Sequence, residues 1–205
     1  MVKLGGSLIQ SPELKNWLDT LVKISDGKLL IVPGGSVFAD AVRDAQQYAQ
    51  VSDATAHQLA LLAMDQYGLL LAGMNSLLVT ASSELEIAER GWQHRAIVWL
   101  PSQMVLADEH IPQNWQVTSD SLSAWIAEKI NAEHLVIVKS ADLSAYQNTL
   151  KTETLVEAQV LDQAFPEFVT DCSFKCWLLN KRQHAVFASG LDEANLRIHA
   201  HQIMT

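Results

Sequence analysis

Two short units of one design, about thirty residues apart, constrain this chain more than anything else in it. In the first, the strand-like run Val2-Lys3-Leu4 opens at once into Gly5-Gly6-Ser7. In the second, the continuous apolar run Leu29-Leu30-Ile31-Val32 opens through Pro33 into Gly34-Gly35-Ser36, and a helical stretch with Asp40 and Arg43 follows. A run apolar at every position predicts a strand buried on both faces, the habit of parallel sheets in α/β proteins. Adjacent parallel strands would bring both glycine loops to one sheet edge, where open α/β sheets bind their ligands. Glycine there allows a close backbone approach and φ > 0 without a Cβ penalty, and N–H groups ahead of a helix N-terminus make a pocket for anions. Lys3 beside such a pocket would add a mobile point charge suited to phosphate. Taken singly, either Gly-Gly-Ser also describes a tight strand–helix turn with a capping serine, and Lys3 a solvated lysine. The pair is not a dinucleotide fingerprint, since Gly-x-Gly-x-x-Gly is missing, nor a Walker A loop, since the lysine precedes its glycines.

The length of 205 residues predicts one domain with a sizeable core. A formal net charge of −9 argues against a nucleic-acid partner, because no basic stripe exists to release counterions. It leaves small anions open, since backbone N–H groups and a few lysines can hold them. No charged leader with a cleavage pattern precedes the first strand, so the chain is expected to be cytoplasmic. The apolar stretch 59–78 is interrupted by Asp65, Gln66, Gly68, Gly73 and Asn75, which predicts a buried helix running into a strand rather than a membrane span. Cys172 and Cys176, four apart, could share a helix face as reduced thiols; two ligands make no zinc site, and no metal site is expected.

Leu14, Trp17, Leu18, Leu21 and Val22 predict an amphipathic helix from about Pro12 to Gly27. A long helix runs from Asp53, a natural N-cap, to about Ala72, with His57 one turn inside. Asp53 and His57 either touch an acceptor at the second glycine loop or are a cap and a hydrogen-bonded core histidine. Strands follow at 76–80 and 96–100 around a short helix at 83–90. Leu122, Trp125, Ile126 and Ile130 then share a helix face, with Asp120 at that helix's N-terminus. The buried strand Leu135–Val138 ends in Lys139-Ser140-Ala141-Asp142, another gathering of lysine, hydroxyl and carboxylate at a strand's C-terminal end. After a polar stretch at 144–154, the pattern predicts a helix from Leu155 toward Phe168 up to Pro166. Strands are expected at Cys176–Leu179 and Ala185–Ala188, a helix at Asp192–Arg197, and a last strand at Ile198–Met204 on which His199 and His201 alternate.

Val2-Lys3-Leu4-Gly5-Gly6-Ser7, Val32-Pro33-Gly34-Gly35-Ser36 and Thr118-Ser119-Asp120-Ser121-Leu122-Ser123-Ala124, in this order, resemble the amino acid kinase superfamily. The resemblance covers essentially the whole chain and implies an α/β fold, a three-layer αβα sandwich with a mainly parallel open central sheet. It implies an acceptor half at about 1–115 and a nucleotide half at about 116–205. On it, Lys3 neutralises the transferred phosphoryl group, and Gly5, Gly6 and Ser7 hold phosphate oxygens. Gly34 and Gly35 face the acceptor's attacking anion, Asp120 orients the catalytic lysines, and Lys139, Ser140 and Asp142 lie beside ATP, which brings Mg²⁺. Such phosphoryl transfer needs positioning and charge neutralisation more than a nucleophile on the protein. The family's late Gly-Gly-Met…Lys segment is missing, and Lys175 is the candidate replacement for its second lysine. Val-Pro-Gly-Gly-Ser-x-Phe-Ala-Asp, Ser52-Asp53-Ala54-x-x-His57 and the small size are most similar to the branch acting on (aminomethyl)furanylmethyl phosphate in methanofuran-type cofactor synthesis. That branch implies a phosphate acceptor, already anionic at neutral pH, with Asp53 and His57 on the substrate, and a homo-oligomer is expected. A kinase making an acyl phosphate from an amino acid, or a non-catalytic binding relative, are the alternatives.

Overall fold

The computed structural model describes residues 1–144, 146, 149–190 and 192–204. The strands are β1 (Val2–Leu4), β2 (Leu30–Pro33), β3 (Leu78–Ala81), β4 (Ala96–Trp99), β5 (His134–Lys139), β6 (Thr149–Lys151), β7 (Lys175–Asn180) and β8 (His201–Met204). Among the described residues they form one sheet in the order β3-β4-β2-β1-β5-β7-β8-β6. Every pairing is parallel except β7 with β8, so the fold is the expected α/β sandwich on a mainly parallel sheet.

Side chains alternate across a strand, and the two faces of this sheet carry separate cores. Val2, Leu4, Ile31, Val98, Val136, Val138, Trp177 and Leu179 face one layer, which includes α1 (Glu13–Ile24). Leu30, Val32, Ile97, Trp99, Leu135, Ile137, Cys176 and Leu178 face the other, which includes α6 (Ser119–Lys129). Lys3 falls between Val2 and Leu4, and Lys139 two residues beyond Ile137, so both lysines point to the α6 side. The remaining helices are α2 (Ser36–Ala49), α3 (Asp53–Met74), α4 (Glu84–Trp92), α5 (Ser102–Leu106), α7 (Thr152–Glu157), α8 (Phe165–Val169) and α9 (Glu193–His199). None of the described helices is long and apolar enough to cross a membrane.

Several expected elements are different. Ala185–Ala188 is no strand: Lys181–Ser189 is a 3₁₀ segment, started by an Asn180–Gln183 capping box. Buried Trp17 holds that segment, its Nε1 donating to the Lys181 carbonyl at 2.6 Å and its ring edge-on to Phe187 at 5.5 Å. The single helix expected from Leu155 is two, because Gln159 turns left-handed at φ 55°. Pro166 sits in the first turn of α8, where its missing N–H is harmless, so it starts a helix instead of stopping one. The polar 144–154 stretch, of which residues 145, 147 and 148 lie outside the described residues, contains β6. Cys172 is in an irregular segment and Cys176 is on β7, so they share no helix face. His199 ends α9 and only His201 lies on β8. Ser52, not Asp53, caps α3 by accepting the Thr55 N–H at 3.2 Å.

Candidate active site

β1 lies between β2 and β5, so the loops leaving all three strands meet at one edge. The first two loops touch backbone to backbone. A Cβ on Gly6 would lie 2.3 Å from the Ser36 nitrogen, and one on Gly34 would lie 2.4 Å from the Gly6 nitrogen. Neither glycine has a positive φ, and neither do Gly5 (φ −59°) and Gly35 (φ −77°). The expected conformational freedom is therefore not what these glycines supply; their missing side chains let two loops nest. The left-handed residue is Ser36 instead, at φ 59°.

Beside these loops lies a cleft of about 410 Å³, with Lys3, Gly6, Ser36, His57, Asp120 and Lys139 among its lining residues. On its floor the Asp120 carboxylate takes both lysines, Lys3 Nζ on Oδ1 and Lys139 Nζ on Oδ2, each at 2.6 Å. Lys3 and Asp120 are buried, with side chains 3% exposed. Burial alone would push the Asp120 carboxyl up, but the Lys139 and Lys3 ammonium groups outweigh it and hold the carboxyl at about 2. At Lys3 the balance falls the other way. Burial, helped by the charge of Lys139, outweighs Asp120 and pulls the amine down to about 8. Two ammonium groups on one carboxylate leave the floor one charge positive.

The predicted residues divide on position. Gly5, Ser7 and Gly35 also line the cleft, whereas Gly34, Asp53, Ser140 and Asp142 do not. Gly34 donates its N–H to the Leu4 carbonyl at 2.9 Å, and Ser140 joins Ser7 hydroxyl to hydroxyl at 2.9 Å. Exposed Asp142 accepts the Ser144 N–H. Asp53 accepts from Gln46 at 2.8 Å and borders a separate recess near Asn114 and Gln163. Lys175 starts β7 at the strand end remote from Lys139 and pairs with Glu193 at 2.7 Å, so the second lysine on Asp120 is Lys139. Among the described residues, no three His, Cys, Asp or Glu side chains are grouped to hold a metal ion.

Two buried polar atoms in the cleft find no protein partner, the Ser36 hydroxyl and His57 Nε2. His57 Nδ1 lies 3.4 Å from the Asn114 carbonyl, which takes its proton and leaves Nε2 a bare acceptor. Burial lowers this ring below its usual value against that hydrogen bond, so it is neutral at pH 7. The start of α2, at Ser36, has no side-chain cap, so its first N–H groups face the cleft without intrahelical partners. The sequence reading missed the wall formed by Arg43 stacked on Trp115, guanidinium 4.3 Å from the ring. It also missed Asp162, which holds the start of α6. Trp115 could not be found by spacing, because it sits in an irregular segment.

A positive floor beneath nested glycine loops, at the edge of a parallel sheet, is an arrangement suited to an anionic ligand. Residues 1–165 match the model of the amino acid kinase family, and the chain belongs to that family. It is a phosphotransferase, a small-molecule kinase. The chain is 26% identical to [5-(aminomethyl)furan-3-yl]methyl phosphate kinase of Methanocaldococcus jannaschii, over 89% of this chain and 88% of the relative. Its fold is that of uridylate kinase from Archaeoglobus fulgidus (TM-score 0.72, 16% identity, 99% of each chain covered). Isopentenyl phosphate kinase from T. acidophilum is also similar (TM-score 0.62, 13% identity, 99% of this chain and 98% of that one).

Proposed function

We propose that the protein transfers the γ-phosphoryl group of MgATP to the phosphate of (aminomethyl)furanylmethyl phosphate, giving the diphosphate and ADP. The observation that carries this reading is the Lys3–Asp120–Lys139 centre beside the uncapped N-terminus of α2. An acceptor phosphate oxygen attacks the γ-phosphorus as the bond to the ADP oxygen breaks, and no general base is needed because the nucleophile is already anionic. Lys3 and Lys139 neutralise the charge spread over the transferred group, and Asp120 keeps them on its two sides. Gly6 and Ser7 hold oxygens of the donor phosphates beside Gly5, whose own N–H is on the Val138 carbonyl, with Ser140 and Asp142 further along the nucleotide half (about 116–205). Gly35 and the first N–H groups of α2 receive the acceptor phosphate in the half at about 1–115, while Gly34, its N–H on the Leu4 carbonyl, serves only the nesting of the two loops, and the two halves form one domain.

The positive floor fits a polyphosphate, and Mg²⁺ arriving with the nucleotide would supply further charge neutralisation while keeping mostly phosphate and water ligands. His57 supports the choice of acceptor. A neutral ring with a bare Nε2 asks for a hydrogen-bond donor on the ligand, and an aminomethyl ammonium is one; an apolar tail is not. Asp53, outside the cleft, acts only through Gln46 and the Trp115 wall. A homo-oligomer belongs to the same reading, supported by the uncharged apolar face of α3.

The test is ADP release from MgATP with (aminomethyl)furanylmethyl phosphate, its analogue lacking the amine, uridylate, isopentenyl phosphate, glutamate and aspartate. The expected result is turnover with the first acceptor, a higher KM for the analogue, and loss of turnover in Lys3→Ala. Turnover with glutamate or aspartate instead would overturn the acceptor, and turnover intact in Lys3→Ala would overturn the centre.

A further inference from the structure

α6 has no cap of its own. Thr118 stands at the N-cap position, but its side chain accepts nothing from the helix. Its hydroxyl instead donates to Asp162 Oδ2 at 2.8 Å, as do the Thr118 N–H at 3.0 Å and the Ser121 N–H at 3.0 Å. The Ser121 hydroxyl donates to Asp162 Oδ1. Ser121 is the third residue of α6, and its N–H is one that an N-cap side chain ordinarily takes. Asp162 therefore does the work of the missing cap from outside the helix, and a carboxylate at this end is favoured by the helix dipole. A backbone bond from the Ala164 N–H to the Gln116 carbonyl at 3.1 Å ties the same two segments together.

We propose that Asp162 is the positioning residue of the reaction centre: it fixes the first turn of α6, and so holds Asp120 where one oxygen can serve Lys3 and the other Lys139. The proposal rests on reading those three residues as the centre. Asp120 is the second residue of the turn that Asp162 clamps. A shift of that turn moves both carboxylate oxygens at once, and both 2.6 Å ion pairs are lost together. Without the carboxylate, four donors would have to find other partners at a partly buried helix end. Its charge also reaches the centre: Asp162 and Asp120 hold the Lys3 ammonium up, while burial and Lys139 push it down. Asp162 itself is pushed up first by burial and then by Asp120, against its hydrogen bonds from Ser121 and Thr118.

Asp162→Asn keeps the shape and removes the charge; Ser121→Ala removes one donor and leaves Asp162 in place. Each full-length variant is compared with the wild type by thermal unfolding, by steady-state kinetics, and by NMR titration of the Lys3 amine, which needs no acceptor. For Asp162→Asn the expected result is a folded protein whose kcat falls about 100-fold while KM for MgATP changes less than about threefold. The Lys3 titration is expected to move to lower pH. Ser121→Ala should lower kcat in the same direction by less, and it carries the test if Asp162→Asn does not fold. A lowered melting temperature with kcat and the Lys3 titration unchanged would reduce Asp162 to a structural cap and overturn the proposal. Failure of the underlying reading is separate: there Asp120→Ala itself would leave kcat intact.

Discussion

One carboxylate serves two ammonium groups at the floor of the cleft, and the imbalance sets what each residue can tolerate. Removing Lys3 leaves Asp120 still paired with Lys139. Removing the charge of Asp120 leaves two ammonium groups facing each other with no carboxylate in contact, only the more distant Asp162, and one of the two is buried. Asp120→Asn should therefore lower the unfolding free energy by about 3–5 kcal/mol, more than Lys3→Ala does, in urea titrations at pH 7. A larger loss for Lys3→Ala would contradict the shared-carboxylate arrangement. The pH response follows from the same geometry. The amine of Lys3, held down to about 8 in the folded chain against an ordinary 10.5, loses its proton as pH rises through about 8. The unfolded chain keeps that proton until about 10.5, so the native state binds fewer protons between these values. Lys3 thus contributes stability that is present above 10.5 and lost as pH falls through about 8. Activity runs the opposite way. The free enzyme loses its positive floor above about pH 8, so kcat/KM for MgATP should fall there, with a limb that coincides with the titration of the Lys3 amine followed by NMR. A kcat/KM flat to pH 10 would remove the protonated Lys3 from the reaction.

Elements at this edge divide into helix ends that are closed and one that is open. Asp162 closes the start of α6, whereas α2 begins at Ser36 with nothing on its first N–H groups. The open end is held by the nesting of Gly6 against Ser36. Gly6→Ala would place a methyl 2.3 Å from the Ser36 nitrogen and 2.7 Å from its Cα, so backbone must move. The expected outcome is a stability loss of about 1–3 kcal/mol and a kcat lower by about 100-fold, measured by denaturant unfolding and steady-state assay. Gly73→Ala, with no atom within 4 Å, is the control and should leave kcat unchanged. Much of this edge was legible in the sequence because it is local. Two glycine loops each follow a strand, and period-two alternation sends Lys3 and Lys139 to the same face. What escaped was non-local. The cap of α6 lies 41 residues from Ser121, and no pattern within either segment marks it. The segment Ala185–Ala188 looked like a strand because its own residues are apolar, while Trp17, 164 residues from the Lys181 carbonyl it holds, makes it 3₁₀. Lys175 drew attention as a missing second lysine, yet that place is taken by Lys139, whose strand end was visible all along.

At the scale of the whole molecule, the sheet covers its faces with helices but leaves one side of α3 bare. Leu59, Leu62, Leu69, Leu70 and Met74 are 38–56% exposed. From residue 58 to 74 the exposed positions of the helix carry no charged side chain, only these residues, Gln58, Gln66 and Gly73. A chain with a net charge of −9 would repel its own copy almost anywhere else on its surface. This stripe is where two copies can meet without bringing like charges together, and a two-fold axis across it would set each stripe against the other. The wild type should therefore sediment as a dimer or a multiple of one. Leu62→Asp with Leu69→Asp puts two like charges on each side of the contact and should yield a monomer. α3 also carries His57 into the cleft from its other side, so the monomer should show a raised KM for the acceptor with KM for MgATP little changed. A wild type that sediments as a monomer at micromolar concentration would leave the stripe without this role, and a double variant that still dimerises would place the contact on another face.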